Sequence, residues 1–292
     1  MSTATAITEF ARRDRGWFLW PLLLFALIVL LYAPVLKALG LQWWTDPDYG
    51  HGFLVPLFSG FILYRERNHW RKAEINPSNF GLLVMIGAVA LLLLGSLGAE
   101  LFTSRFSLLV LLGGMVLFLA GRKFLRAISF PLGFLVLMIP IPVIIYNQVT
   151  FPLQLLASRL ASALLELVGV PVLRDGNVLV LSNYSLEVAE ACSGIRSFMS
   201  LIALAVAYGY LAESRVVLRC ILVALIIPIV IATNAIRITA AGALAHHFGS
   251  AAAQGFLHEL SGWLTFLLAL FLVFVSHWML RSFIRSRQSA HA

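Results

Sequence analysis

The string Glu190-Ala191-Cys192-Ser193-Gly194-Ile195-Arg196-Ser197 sets a thiol among charged and hydroxyl groups at the start of an apolar run. A cysteine in the first turn of a helix faces exposed backbone N–H groups and the positive end of the helix dipole. Both favour the thiolate, the nucleophilic form. Arg196 follows four residues later, on the same helix face, where it can pair with Glu190 or Glu187 or orient the thiolate. The plain alternative is a packing thiol, since cysteine is among the most buried residue types. Cys220, beside Arg219 and followed by apolar residues, reads as such a packing residue.

Three more clusters carry polar groups into apolar surroundings. Asn234-Ala-Ile-Arg237 puts an amide and a guanidinium on one helix face. Arginine cannot act as a base, but it can hold an oxyanion; the alternative is a head group that snorkels to the lipid surface. His258 opens another apolar run in Phe256-Leu-His-Glu259, and histidine is the usual general acid and base near neutral pH. His246-His247 is a competing pair, and each of these histidines also suits an ordinary interfacial loop. The fourth cluster is Asp46-Pro-Asp48-Tyr49-Gly50-His51-Gly52. Its glycines permit close backbone approach, so Tyr49 and His51 are candidates for shaping a substrate groove, against the plainer reading of a tight interfacial turn. No C-x-x-C or His-rich metal spacing occurs, and two cysteines are too few for a disulfide framework.

The elements that must position these residues follow from composition. Of 292 residues, 61% are hydrophobic and 12% charged. That excludes a disordered chain and a water-soluble globule, because a core of this size cannot hide so much apolar surface. Crossing about 30 Å of hydrocarbon takes about 20 predominantly apolar residues. Eight stretches are expected to do so, roughly 17–39, 50–64, 80–98, 106–120, 127–145, 192–212, 217–245 and 259–280. The first is not a cleavable signal peptide, since Trp43, Trp44 and Asp46 follow it where small residues would mark a cleavage site.

The net charge of +8 tests this order. With a cytoplasmic N-terminus, one side collects Arg12, Arg13, Arg15, Arg65, Arg67, Arg71, Lys72, Arg122, Lys123, Arg126, Arg215, Arg219, Arg281, Arg285 and Arg287, which is 15 of the 21 Lys and Arg residues. This is the bias of the positive-inside rule, so topology accounts for the charge and nucleic acid is not needed to explain it. Both termini are then cytoplasmic. Cys192, Arg237 and His258, from three helices, converge on the outer face. Nucleophile, oxyanion holder and acid/base are the parts that acyl transfer needs. Ser193 leaves a serine nucleophile open. Residues 146–191 lie outside. Within them, 154–166 reads as an amphipathic helix in the membrane interface, and Val178–Ser182 with Ser185–Ala189 as a short hairpin near the turn signal Asp175-Gly-Asn177.

Ala191-Cys-Ser-Gly-Ile-Arg196, Asn234-Ala-Ile-Arg237 and His258, in that order on successive helices, resemble the exosortases, as does Gly50-His-Gly-Phe-Leu-Val-Pro56. The resemblance spans about 46 to 281. It implies a stand-alone, polytopic protein of the bacterial inner membrane, a cysteine transpeptidase similar in chemistry, but not in fold, to sortases. The family's catalytic Cys, Arg and His match Cys192, Arg237 and His258, with Arg196, Asn234, Glu190 and Ser193 in support. Its substrates are exported proteins with a C-terminal signal: a Pro-Glu-Pro-like motif, a hydrophobic helix and a basic tail. They are cleaved through a thioester and passed to a cell-surface acceptor, with no metal or cofactor required. The expected fold is an all-α polytopic membrane protein of about eight helices. An extracytoplasmic amphipathic helix and short hairpin lie between helices five and six. The whole chain forms a single domain, with a core of about 17–281 and cytoplasmic tails at 1–16 and 282–292. The alternative is a transporter or non-catalytic assembly factor, whose intramembrane Arg and Asn would line a pathway.

Overall fold

The computed structural model describes residues 19–182, 184–188, 195–249 and 256–290. They form two compact units, one ending at Pro142 and one beginning at Val143.

In the first unit, α1 (Leu19–Thr45) leads through a 3-10 turn (Gly50–Phe53) to α2 (Leu54–Arg65) and the single turn α3 (Arg67–Trp70). The antiparallel pair α4 (Phe80–Leu97) and α5 (Leu101–Leu119) follows, then the short helices α6 (Gly121–Ala127) and α7 (Ser129–Phe134) and a 3-10 turn (Leu135–Met138). The α5 helix starts sharply because Glu100 caps it, accepting from the N–H groups of Phe102 at 3.1 Å and Thr103 at 2.5 Å. A carboxylate there complements the positive helix end. A buried bond of 2.9 Å between the Tyr32 and Ser107 hydroxyls ties α1 to α5. Such bonds hold apolar helices together where lipid offers little hydrophobic drive.

In the second unit, α8 (Val143–Leu167) precedes the strands β1 (Val172–Asp175), β2 (Val178–Leu181) and β3 (Tyr184–Glu187), and α9 (Ile195–Ala212), α10 (Val216–Phe248) and α11 (Phe256–Ala290) follow. The strands form an antiparallel meander in the order β1-β2-β3, with Asp175 opposite Val178 across the Gly176-Asn177 turn. Gly176 has φ +60, as that turn requires. Ala157, Ala161 and Leu165 of α8 pack with Leu179, Leu181 and Ile238. Leu201, Ile226, Val230, Ala269 and Val273 join α9, α10 and α11.

Five helices are long and apolar enough to cross a membrane: Ala26–Thr45, Phe80–Leu97, Leu101–Leu119, Val216–Phe248 and Leu260–Ser286. A sixth results if Ser129–Met138 and Val143–Leu167 count as one broken span. Large exposed apolar side chains such as Leu30, Leu97 and Trp263 fit lipid-facing surfaces. The chain is therefore a mostly helical, multi-pass membrane protein. The expected count of eight is not reproduced among the described residues. The stretch 50–64 contains only a 12-residue helix after a 3-10 turn, roughly 18 Å long. The stretch 127–145 is broken into short pieces, and Pro140-Ile141-Pro142 lies outside any helix, two closely spaced prolines disfavouring helical backbone in the residues before them. Helix 154–166 is the second half of the longer α8. Its buried face carries Gln154, Ala157, Ser158, Ala161 and Ser162, while Leu156, Leu160 and Leu167 are exposed. Small residues on the inner face let α8 lie close to its neighbours. The expected hairpin gains a third strand, Val172–Asp175, and its last strand starts at Tyr184.

Candidate functional site

Arg237 stands on the sixth turn of α10, partly buried. Its Nε donates to the Ser261 hydroxyl of α11 at 3.3 Å. A Cβ built on Gly262 would lie 3.8 Å from the Arg237 Nη2, so this glycine packs next to the guanidinium. Asn234, one turn earlier on the same helix, is 2% exposed. The amide and guanidinium thus share a face as the i, i+3 spacing requires, and that face meets the first part of α11.

Position 258 lies in the first turn of α11, three residues before Ser261. Helix geometry therefore places it one turn from the residue that touches Arg237. His246 and His247 occupy the last turn of α10, with ring centroids 5.0 Å apart. They lie roughly 13 Å farther along the axis than Arg237. The backbone of Arg196 lies in the first turn of α9. Cys192, Ser193 and Glu190 lie outside the described residues, as do the side chains of Arg196 and His258.

Tyr49 and His51 belong to the first unit. Tyr49 is 6% exposed and its ring centroid lies 6.3 Å from that of His51. Burial, opposed in part by a backbone hydrogen bond from Ile141, raises the Tyr49 phenol above its ordinary value and keeps it neutral. Gly52 packs against the Trp43 indole so closely that a Cβ would meet its Nε1 at 2.3 Å, and that Nε1 donates to the Met138 carbonyl at 2.9 Å. Gly52 thus serves close approach of the turn to Trp43. Arg105, on the second turn of α5, is 3% exposed and has Glu100 and Tyr49 as electrostatic neighbours.

Sequence reasoning passed over a second polar centre. Glu213, in the α9–α10 connection, is 6% exposed. Its Oε1 lies 2.7 Å from His277 Nε2 and 2.5 Å from Arg281 Nε, both on α11. His277 Nδ1 lies 2.6 Å from the Tyr208 hydroxyl, and Arg281 also donates to the Ala212 carbonyl at 2.7 Å. Arg219 closes the group by donating to the Glu213 carbonyl at 2.7 Å. The readable signal was His277 and Arg281 at i, i+4, with a lone acidic residue at the turn between two helices. Cys220, expected to pack, is exposed on α10. Among the described residues no group of three or more His, Cys, Asp or Glu side chains is placed to hold a metal ion.

A family model described as transmembrane exosortase matches residues 43–275. That match runs from Trp43, through both units, to the last turns before His277. No curated protein and no solved structure matches the chain.

Proposed function

This chain belongs to the transmembrane exosortase family, a family of membrane sorting transpeptidases, and on that premise we propose that it cleaves the C-terminal sorting signal of exported proteins through a thioester on Cys192. The observation that carries this reading is the Arg237–Ser261 contact, which joins α10 to α11 one turn from His258. In the first half-reaction the Cys192 thiolate attacks a peptide carbonyl near the substrate's membrane anchor. Arg237 holds the developing oxyanion. The tetrahedral intermediate collapses, the C–N bond breaks, and His258 gives its proton to the departing amine. In the second, an incoming nucleophile of the cell-surface acceptor, or water, attacks the thioester while His258 takes its proton, and the thiolate is released. Arg196 and Glu190 orient the cysteine loop, and Asn234 fixes the face from which Arg237 projects. The setting is the bacterial inner membrane, with both termini cytoplasmic and the reaction at the outer face.

The test is to trap the thioester between Cys192 and a signal-bearing substrate with hydroxylamine-sensitive mass tagging. Cys192→Ala should abolish adduct and processing while the protein accumulates normally, and Cys220→Ala should retain most activity. Processing that survives Cys192→Ala would remove the cysteine mechanism and favour a pathway-lining role for Arg237. Cysteine probes at Asn177 and Ser214 test the orientation: a membrane-impermeant reagent should modify only the former.

A further inference from the structure

One cavity belongs to neither polar centre. It lies in the first unit, holds about 460 Å³, and is lined by His69, Lys72, Glu74, Lys123 and Arg126 together with two alanines. Three permanent cations face one carboxylate there, a net of +2 with His69 neutral. Glu74 is ion-paired with Lys123. Lys72 and Arg126 make no side-chain hydrogen bond or ion pair among the described residues, so they face the cavity with their donors available.

The walls are fixed by backbone. The 71–79 connection is pinned to the α5–α6 junction by the N–H of Asn76 on the Ala120 carbonyl at 3.1 Å and that of Ser78 on the Leu117 carbonyl at 3.3 Å. Gly121 has φ +85, and a Cβ there would lie 1.8 Å from the Asn76 carbonyl oxygen, so the junction closes only around a glycine. The Trp70 ring stands edge-on to Phe124 at 5.7 Å and its indole donates to the Leu63 carbonyl at 2.8 Å. An amphipathic aromatic of this kind is typical of the membrane–water boundary.

Position supplies the ligand class. The cavity sits where α4 begins and α5 ends, at one end of two membrane-spanning helices. Exposed Phe80 and Leu83 begin the lipid-facing surface of α4 directly after the 71–79 connection. The positive-inside rule explains why basic residues lie on this side. It does not explain why they surround a preformed hollow beside an aromatic shelf and apolar helix surface. We propose that this cavity binds the phosphate head group of an anionic phospholipid, with Lys72 and Arg126 on the phosphate and the acyl chains along α4. Basic pockets beside membrane helices are suited to such head groups. The substrate's own basic tail is repelled by the same charge.

The experiment is native mass spectrometry of the full chain, delipidated in an uncharged detergent and titrated with phosphatidylglycerol, phosphatidylcholine, glycerol phosphate or inorganic phosphate. Phosphatidylglycerol should bind with one saturable high-affinity step that phosphatidylcholine lacks. Lys72→Gln with Arg126→Gln should weaken that step about thirtyfold, the size expected for two surface charges acting on an anionic lipid. The matched control, Arg215→Gln with Arg285→Gln, removes equal charge from the second unit and should change it less than threefold. Lys72→Arg with Arg126→Lys keeps the charge and should retain binding, which separates lost recognition from lost folding. Equal weakening by both neutral doubles would overturn the site in favour of diffuse surface charge. Saturation by inorganic phosphate at the lipid's concentration would overturn the lipid as occupant.

Discussion

Helices α10 and α11 make polar contacts at both ends, and the two ends differ in kind. Near the α9–α10 connection, the Glu213 carboxylate is met by His277 and Arg281 at 2.7 and 2.5 Å, with Tyr208 behind the imidazole. Charge is matched, and the acceptor is enclosed. Near the start of α11, Arg237 meets a neutral hydroxyl at 3.3 Å and a glycine surface. A matched carboxylate network fixes helices in place. A guanidinium that meets a neighbouring helix through a neutral hydroxyl is suited, on the proposed function, to stabilise charge that appears during a reaction. On the function proposed above, the buried network at one end serves architecture and the other end serves chemistry.

Substitutions that move rate at one end and stability at the other test that division. Arg237→Lys keeps the charge but loses the planar fork, and should lower the processing rate of a signal-bearing reporter at least about 10²-fold, the scale of one oxyanion donor, with an unchanged melting temperature. Arg196→Lys should lose less, because an ion pair survives loss of bidentate geometry better than an oxyanion contact does. A larger defect at Arg196 would transfer the oxyanion role to α9. At the opposite end Glu213→Ala should cost about 2 kcal/mol of stability. That is less than the usual toll for breaking a buried pair, because Arg281 is 45% exposed and water can solvate it. Its turnover per folded molecule should stay within a few fold; a hundredfold fall would break the comparison.

Acid should distinguish the ends as well. Burial works against the charge on Glu213, but hydrogen bonds from His277 and Arg281 outweigh it and hold the carboxyl below its ordinary value of 4.5. A group depressed on folding adds stability that is complete above its unfolded value and is lost as pH falls through the folded one. The melting temperature of the wild type should accordingly fall below about pH 4.5, and Glu213→Gln should flatten that part of the profile. The smallest effect belongs to Ser261→Ala, which removes the neutral hydroxyl that accepts one long hydrogen bond from the Arg237 guanidinium. About fivefold in rate is expected from about 1 kcal/mol, measured as kcat/KM on the same reporter.

The long apolar helices were legible because each fills a membrane span with a single unbroken composition: 80–98 became Phe80–Leu97 and 217–245 became Val216–Phe248. The stretches 50–64 and 127–145 misled for one reason. Hydropathy registers how apolar a run is but not whether its backbone stays helical through Gly50-His51-Gly52 or Pro140-Ile141-Pro142. Alternation from 172 onward was visible around the turn Asp175-Gly176-Asn177, but only the two segments after that turn were expected as strands, so Val172–Asp175 adds the third. At the site, Asn234 and Arg237 were legible from helical spacing alone. Ser261 was not, since its importance comes from the packing of α10 on α11. Glu213 and His277 stand 64 positions apart, and no periodicity links them.

Helix α11 is 35 residues long, roughly 52 Å, against about 30 Å of hydrocarbon. Its two polar anchors, Ser261 and His277, are separated by roughly 24 Å along the axis, and each is joined to α10 or to the connection just before it. Held at two heights, the helix cannot slide past its neighbour to suit the local bilayer. Thinning or thickening of the lipid must be taken up by tilt of both helices together. The depth of Arg237 in the bilayer is then set jointly by lipid chain length and by the fixed interval between the two fastenings.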